Sequence, residues 1–261
     1  MPRRAPLLLS LAPWVSILAL AAAWELFARS GAVTPFMLPR LSVVLERIGA
    51  DAASGELWQN LGMTLYRSLL GFVISVLIGI FLGFAVTQNR FARWLVDPLV
   101  SVGFPMPKIA FLPIITLWLG FHDLSKISMV VFDAVFPVIT ATIAATAGVE
   151  RQLLWSARNL GASPGELLRE VVFPAALPQV MTGLQVALPI ALIVCIVAEM
   201  KMGGIGLGGA MITASRFADS PGVFAGIVEI AIAGYLLVKL MALLRRRLLA
   251  WHPEAAPPAT V

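Results

Sequence analysis

Long uncharged apolar runs alternate with shorter polar segments along this chain. Six of the runs approach or exceed the roughly 20 residues that an α-helix needs to cross the hydrocarbon layer of a bilayer. The pattern therefore predicts an all-α, polytopic membrane protein with six transmembrane helices. The predicted spans cover residues 7–27, 64–86, 98–119, 127–147, 180–200 and 223–244, and Pro105, Pro107 and Pro113 interrupt the third of them.

The composition supports this class and narrows the chemistry. The chain is 59% hydrophobic and 13% charged, whereas an ordinary soluble domain is about 45–50% apolar and about 25% charged. The single cysteine, Cys195, lies in an apolar run and cannot form an internal disulfide. Because His122 and His252 are far apart and have no thiol or carboxylate neighbours at ligand spacing, the sequence predicts no metal site.

The most informative polar segment, residues 148–178, separates the fourth span from the fifth. Basic residues decide on which side of the membrane it lies, because cytoplasmic loops carry an excess of Lys and Arg. With the N-terminus inside, the outer pieces hold seven basic residues. The cytoplasmic pieces hold ten arginines: Arg3, Arg4, Arg90, Arg93, Arg151, Arg158, Arg169, Arg245, Arg246 and Arg247. The segment and both termini are therefore predicted to be cytoplasmic.

Three parts of the chain follow from this topology. Residues 1–63 hold the first span and an outer segment, in which Leu41, Val44, Leu45 and Ile48 recur at helical spacing. Residues 64–244 form the core transmembrane domain. Residues 245–261 form a cytoplasmic tail whose Pro/Ala-rich end is predicted to be disordered. Cleavage of the first span as a signal peptide, after residues 21–23, is an alternative that leaves the later orientation unchanged.

The pattern within residues 148–178 predicts two short helices joined by a turn. Leu153, Leu154, Ala157, Leu160 and Gly161 lie on one helical face, and Gly161 ends the first helix. Ser163 is a candidate N-cap for the second helix, with Pro164 and Glu166 at the first and third helical positions. This second helix is predicted to stop near Pro174, before Pro178 opens the fifth span. The exposed apolar face would pack on its own subunit or on a partner.

This segment resembles the cytoplasmic loop of permease subunits of ABC importers, which has the pattern Glu-Ala-Ala, three residues, Gly, nine residues, Ile-x-Leu-Pro. Gly161 and Pro174 match, Val171 and Phe173 are conservative replacements, and Trp155-Ser156-Ala157 occupies the Glu-Ala-Ala position. Because Trp155 replaces the acid, a salt bridge made by the family's Glu is not expected here. The resemblance assigns ATPase coupling to Leu154, Trp155, Ser156, Ala157, Arg158, Leu160, Gly161, Ala162, Val171, Pro174 and Pro178.

The resemblance extends over about residues 60–245, through segments such as PMPKIAFLPIITLWLG and FPAALPQVMTGLQ, and favours the taurine, aliphatic sulfonate and nitrate branch. It implies a type I permease fold and a homodimer in the inner membrane. It also implies two cytoplasmic ATPases that carry ATP and Mg, and an external solute-binding protein. This subunit itself would be no enzyme and bind no cofactor. Alternative cargoes are a thiamine precursor, riboflavin or a pyrimidine, and a more distant alternative is an ion-coupled secondary transporter.

Charged residues inside predicted spans are candidates for the pathway, because charge there is costly and usually faces protein or water. Lys108 and Asp133 fall in the outer halves of the antiparallel third and fourth spans, so an ion pair between them is geometrically possible. Lys108 would either be satisfied structurally in this way or attract an anion in the pathway. Met106 and Glu199 are further pathway candidates, and for Glu199 a solvated carboxylate at a helix end is the alternative. Gly79-x-x-x-Gly83 predicts close helix packing.

Overall fold

The structure is a computed structural model that describes residues 7–251, with side chains from Val15 onward. Arg3, Arg4 and the Pro/Ala-rich end of the tail lie outside the described residues. Within residues 7–251 the regular structure is entirely helical. The elements are α1 (Leu7–Arg29), α2 (Leu41–Ser54), α3 (Glu56–Gln88), α4 (Arg90–Gly103), a 3-10 turn (Lys108–Phe111), α5 (Leu112–Leu119), α6 (Asp123–Ala147), α7 (Arg151–Asn159), α8 (Pro164–Glu166), a π-helical segment (Leu167–Val172), α9 (Phe173–Met202), α10 (Leu207–Arg216) and α11 (Ser220–Leu248).

Four stretches of helix are long and apolar enough to cross a membrane: Glu56–Gln88, Asp123–Ala147, Pro164–Met202 and Ser220–Leu248. They correspond to the second, fourth, fifth and sixth predicted spans. The first predicted span forms α1. The amphipathic helix predicted in the next segment is α2, and its Val44 is fully buried. Helix α3 continues across residues 63 and 64, where the sequence suggested a boundary between parts of the chain.

The core is built by α6, which packs between α3 and α9. Small residues permit the close approach of α3. A Cβ atom added at Gly79 would lie 2.6 Å from the Cβ of Val138, and one added at Gly83 would lie 2.5 Å from the Cβ of Thr142. The predicted close packing of the Gly79-x-x-x-Gly83 stripe is therefore confirmed. Because both contacts advance along α6 in the same order, α3 and α6 are parallel.

The sequence predicts that the third span begins at Pro98 and crosses the membrane once, and the structure differs in both respects. The helix already begins at Arg90, Pro98 lies inside α4, and the chain bends by 94° between Arg90–Gly103 and Lys108–Leu119. The bend falls at Pro105 and Pro107, which have no N–H to donate and which disfavour helical backbone in the residues before them. Lys108 Nζ donates to the freed Phe104 carbonyl at 3.1 Å.

The glycine-rich segment after the fifth span, predicted as a loop over residues 201–222, is also more ordered than expected. Its second half forms α10 (Leu207–Arg216). The loop before α10 folds back over the end of α9, and Gly203, Gly204 and Gly206 all adopt positive φ angles. Glycine tolerates this backbone without the Cβ clash that other residues suffer. The loop thereby covers the C-terminal end of α9, where Glu199 lies.

Candidate functional site

Residues 148–178 form the predicted elbow, and its first helix ends as the sequence indicates. Helix α7 is closed by Leu160, and Gly161 follows with φ of +89°. The Gly161 N–H donates to the Arg158 carbonyl at 3.0 Å, and the Ala162 N–H donates to the Ala157 carbonyl at 3.1 Å. These two bonds are those of a Schellman motif. Gly161 is therefore a fixed corner that turns the chain from α7 towards α8.

The start of the second helix is a complete capping box, which confirms the prediction for Ser163 and Glu166. Glu166 N–H donates to Ser163 Oγ at 3.4 Å, and Ser163 N–H donates to Glu166 Oε2 at 2.8 Å. The Ser163 hydroxyl also donates to Glu166 Oε2 at 2.7 Å. These hydrogen bonds from the Ser163 side chain and backbone hold the pKa of Glu166 below its ordinary value. The box fixes the direction in which the chain enters the fifth span.

The prediction that this second helix stops near Pro174 is wrong. The chain stays helical from Pro164 to Met202, so Pro174 and Pro178 lie within a continuous helix. Leu167–Val172 is π-helical, and the Phe173 N–H bonds the Leu168 carbonyl five residues back. Pro174 would clash with the Glu170 carbonyl in a regular α-helix. The wider π turn displaces that carbonyl and lets the helix continue through the proline.

The apolar face of α7 is largely open. No residue of α7 is buried. On this face the exposed fractions are 46% for Leu153 and 89% for Leu160, while Leu154 and Ala157 are half-buried. Trp155, which is 58% exposed, lies on another side of the helix. The described part of the subunit therefore covers this face only in part. An exposed apolar cluster on a short rigid helix is typical of a protein-interaction surface.

The elbow candidates are thus brought together on one short stretch, but they differ in accessibility. Pro178 is buried and Val171 is half-buried in the base of the elbow, beside the end of α6. Pro174 is exposed there. Outside the base of the elbow, the accessible members of the set are Trp155, Ser156, Arg158, Leu160 and Gly161, and Ala162 is half-buried. We call these six residues, together with Leu153, Leu154 and Ala157, the elbow surface.

Lys108 and Asp133 form the ion pair that the sequence made geometrically possible. Lys108 Nζ lies 3.0 Å from Asp133 Oδ1, and the Lys108 side chain is almost fully buried. The ammonium also stands 4.9 Å from the centre of the Phe136 ring, a cation–π distance. Met106 is half-buried in the loop just before Lys108. The pair therefore joins the bend after α4 to the middle of α6.

Glu199 has a different environment from the solvated helix end that the sequence allowed, because it is fully buried. Its Oε1 accepts from Arg67 Nη1 at 2.6 Å, and its Oε2 accepts from Thr64 Oγ1 at 2.9 Å and from the Gly208 N–H at 3.1 Å. Arg67 Nη2 also lies 2.7 Å from Asp123 Oδ1. Both carboxylate oxygens of Glu199 therefore have hydrogen-bond donors, and Arg67 supplies the opposite charge.

This cluster joins three helices to the glycine-rich loop. Arg67 comes from α3, Asp123 from α6 and Glu199 from α9. Arg67 Nη1 also donates to the Ile205 carbonyl at 2.6 Å, and Lys126 Nζ donates to the Gly203 carbonyl at 2.8 Å. A side chain at Gly206 would collide with the Glu199 carboxylate. We call Thr64, Arg67, Asp123, Lys126, Glu199 and Gly206 the outer cluster.

In the sequence, Arg67 and Lys126 lie at the edges of predicted spans, and no role is predicted for either. The available signal was one acid and one Arg within long apolar runs, together with a glycine-rich segment after the acid. What the pattern could not give is the pairing, because residues 67 and 199 are brought together only by the packing of α3 against α9. The Glu199 site includes Asp123, the first residue of α6. Asp133 lies ten residues after Asp123 on the same helix, which is a distance of about 15 Å.

Sequence comparison identifies relatives over most of the chain. The chain is 33% identical to the taurine transport system permease protein TauC of Escherichia coli (strain K12) over 88% of its length and 86% of that protein. It is 31% identical to the putative aliphatic sulfonates transport permease protein SsuC of Bacillus subtilis (strain 168), over 88% of this chain and 84% of that protein. These relatives are transport permeases.

Comparison with solved structures agrees on the fold. An amino acid ABC transporter structure matches with a TM-score of 0.63 at 19% identity, covering 76% of this chain and 97% of that one. The inward-facing MetNI methionine ABC transporter matches with a TM-score of 0.53 at 22% identity, covering 72% and 95%. The profile of the binding-protein-dependent transport system inner membrane component family matches residues 75–250. The chain belongs to this family, the membrane-spanning permeases of ABC importers.

Proposed function

We propose that this permease carries a sulfonate or a related small organic anion inward, and that the elbow surface receives the work of a cytoplasmic ATPase. The observation that carries the coupling proposal is the open apolar face of α7. Leu153 and Leu160 expose apolar area on this face, and the two ends of the helix are fixed, at Glu150 by the chain leaving α6 and at Gly161 by the Schellman motif. A groove on a partner protein would remove this area from water.

The assembly proposed around this chain is a homodimer with two ATPase subunits and an external solute-binding protein. ATP and Mg would reside on the ATPases, and this subunit would bind no cofactor. Both termini and the elbow would be cytoplasmic, as the distribution of arginines favours. Family membership supports an importer of this general composition. It argues against an ion-coupled secondary transporter.

The path of the motion follows from helix continuity. When the ATPase subunits close on each other, α7 would move with the groove that holds it. Helix continuity from Pro164 to Met202 then passes this motion into the fifth span. The π-helical segment at Leu167–Val172 is the softest part of this route, since its hydrogen bonds are less regular than those of an α-helix. Rigid-body tilting of α9 would open and close the pathway.

The sulfonate proposal rests on similarity to permeases for these anions: the taurine permease TauC and two putative aliphatic sulfonates permeases SsuC each exceed 30% identity. The charged residues in the described spans are compatible with an anionic substrate. Lys108, Arg67 and Lys126 are each bonded to carboxylate or carbonyl oxygens. We therefore assign recognition of the anion mainly to the solute-binding protein. A riboflavin permease relative at 29% identity makes a neutral heterocycle the second candidate.

Uptake by cells that depend on this permease tests both parts. Gly161→Asp forces a side chain into a positive-φ corner, and Ala157→Arg places a charge on the elbow surface. We expect both variants to be present in the membrane at the wild-type level and to take up no taurine. Gly165→Asp is the matched control, because Gly165 is exposed, lies on α8 beyond the corner, and has open space at its Cβ position. Wild-type uptake by Gly161→Asp would remove the coupling role. Wild-type uptake of riboflavin but not taurine would remove the sulfonate assignment alone.

A further inference from the structure

Helix α4 has an outer face that neither the elbow nor the outer cluster explains. Its inner stripe, Val96, Val100 and Gly103, packs on α3 and α6, with Val96 clustered with Val86 and Ile139. The rest of the helix is open. Five large apolar side chains are at least half exposed: Phe91, Trp94, Leu95, Leu99 and Val102.

The direction of α4 follows from its contacts along α6. Val96 packs with Ile139, and seven residues later Gly103 faces Phe136. The helix thus advances by about 10 Å along its own axis while its contacts on α6 advance by only about 4.5 Å, at 1.5 Å per residue. If α6 crosses the membrane, α4 is strongly tilted towards the membrane plane. The 94° bend that follows α4 agrees with this direction.

The level of α4 is set by the helix before it. Helix α3 ends at Gln88, and Asn89 caps α4 by accepting from the Phe91 N–H at 2.8 Å. Because α3 and α6 are parallel, α4 begins at the same end of the bundle as the elbow. Its first turn therefore lies where spans α3 and α6 leave the membrane, and its last turn lies deeper, beside Phe136.

The exposed side chains of α4 are divided as in an interfacial helix. Arg90, Arg93, Asp97 and Ser101 form a narrow polar strip at helical spacing, and all four are exposed. Trp94 borders this strip, and its ring lies 6.4 Å from the ring of Phe91. Neither Arg90 nor Arg93 forms an ion pair with any residue in the range 15–251. Two unpaired guanidinium groups beside an aromatic pair thus stand at the membrane boundary.

We propose that the first half of α4 lies in the headgroup layer on the elbow side of the bilayer and binds an anionic phospholipid through Arg90 and Arg93. Guanidinium groups match the geometry of phosphate oxygens. Trp94 would sit at the level of the headgroups, as amphipathic aromatic side chains do. Phe91, Leu95, Leu99 and Val102 would contact acyl chains. A second copy of this chain is a poorer occupant, because two copies would bring four arginines of this strip against only two aspartates, the two copies of Asp97.

The test uses the full-length chain in nanodiscs of phosphatidylcholine with a minor fraction of phosphatidylglycerol. A fluorophore is attached at Ser101→Cys, on the exposed strip, while the fully buried Cys195 is left in place. Spin-labelled phosphatidylglycerol is then compared with spin-labelled phosphatidylcholine as quencher. We expect the anionic lipid to be enriched about fivefold near the label, from the attraction of one or two arginines, and less so at high salt.

Arg90→Gln with Arg93→Gln should reduce this ratio to about one, as screening of the charges would. Arg246→Gln with Arg247→Gln is the control, because it removes two exposed arginines from the end of α11 and should leave the ratio unchanged. Equal quenching by the two lipids in the wild-type chain would overturn the proposal. So would the absence of quenching by either lipid, which would place protein on this face.

Discussion

At the scale of single residues, the buried charges of this protein are paired across helices. Lys108 is held by Asp133 and the Phe104 carbonyl, and Glu199 is held by Arg67, Thr64 and a backbone N–H. Removing one member of a buried pair is costly because it strands the other in a low dielectric, whereas removing both is often tolerated. This asymmetry separates structural pairing from a role in the pathway.

Lys108→Met is expected to lower the free energy of unfolding by about 3 kcal/mol. This value is at the lower end of the cost of removing one partner from a buried ion pair, because Asp133 is partly exposed. Lys108→Met combined with Asp133→Leu should recover most of this loss, since no charge is left uncompensated. Denaturation of the purified chain in detergent, followed by tryptophan fluorescence, gives both values. If the double variant were less stable than either single variant, the stranded-charge explanation would fail. If it were stable but inactive in uptake, the pair would belong to the pathway.

Glu199→Gln should destabilise the end of the bundle at which α9 ends by at least about 3 kcal/mol, because Arg67 loses its buried carboxylate partner. Glu229→Gln is the matched control in another span. One oxygen of Glu229 is buried and has no hydrogen-bond partner in residues 15–251, so neutralising it breaks no pair. Unfolding in detergent compares the two variants. Equal losses of stability would mean that burial of a carboxylate matters here and its pairing does not.

At the scale of elements, local rules in the sequence were sufficient for the elbow. The Gly161 corner, the Ser163 N-cap and its Glu166 partner were predicted from residue types and spacing alone, and all three are present. The same rules failed at Pro174. A proline normally ends a helix, but the π turn before it supplies the space that the ring requires. Such a widened turn has no signal in residue type or spacing.

The capping box offers a prediction for the elbow. Ser163→Ala removes the acceptor for the Glu166 N–H and should cost about 1 kcal/mol of local helix stability. Losing about 1 kcal/mol lowers the free energy needed to open the helix locally. The amide hydrogens of α8 and the π-helical segment should therefore exchange with solvent about fivefold faster. Hydrogen–deuterium exchange of the intact permease measures this. Unchanged exchange in Ser163→Ala would show that packing, not the cap, holds the helix start.

The same box gives a pH dependence whose sign is fixed. The pKa of Glu166 is lowered in the folded state by its bonds from Ser163, so its contribution is fully present above the ordinary carboxyl pKa. It is lost as the pH falls through the lowered pKa. The difference in exchange between wild type and Glu166→Ala should therefore be seen at neutral pH and vanish in acid. A difference that grew in acid would contradict this assignment.

At the scale of the whole molecule, apolar run lengths and the positions of arginines predicted an all-α polytopic protein, and the spacing around Gly161 predicted the family. Both follow from properties that are local in sequence. The interruption of the third span was also predicted, from its prolines, but helix α10 and the outer cluster were not. The cluster depends on contacts between distant residues, such as Arg67 with Glu199. An isolated charge in an apolar run indicates that a partner exists but does not identify it.

We propose above that the elbow surface binds an ATPase through its apolar side chains. The most direct measurement is the affinity of the ATPase subunit for the permease in nanodiscs, compared between wild type, Leu160→Ser and Phe217→Ser. Leu160 is 89% exposed and Phe217, beyond α10, is 81% exposed, so neither change should disturb the fold. We expect Leu160→Ser to weaken binding about tenfold, as loss of an apolar anchor does, and Phe217→Ser to leave it unchanged. Wild-type affinity in Leu160→Ser, or equal weakening in both variants, would contradict the claim.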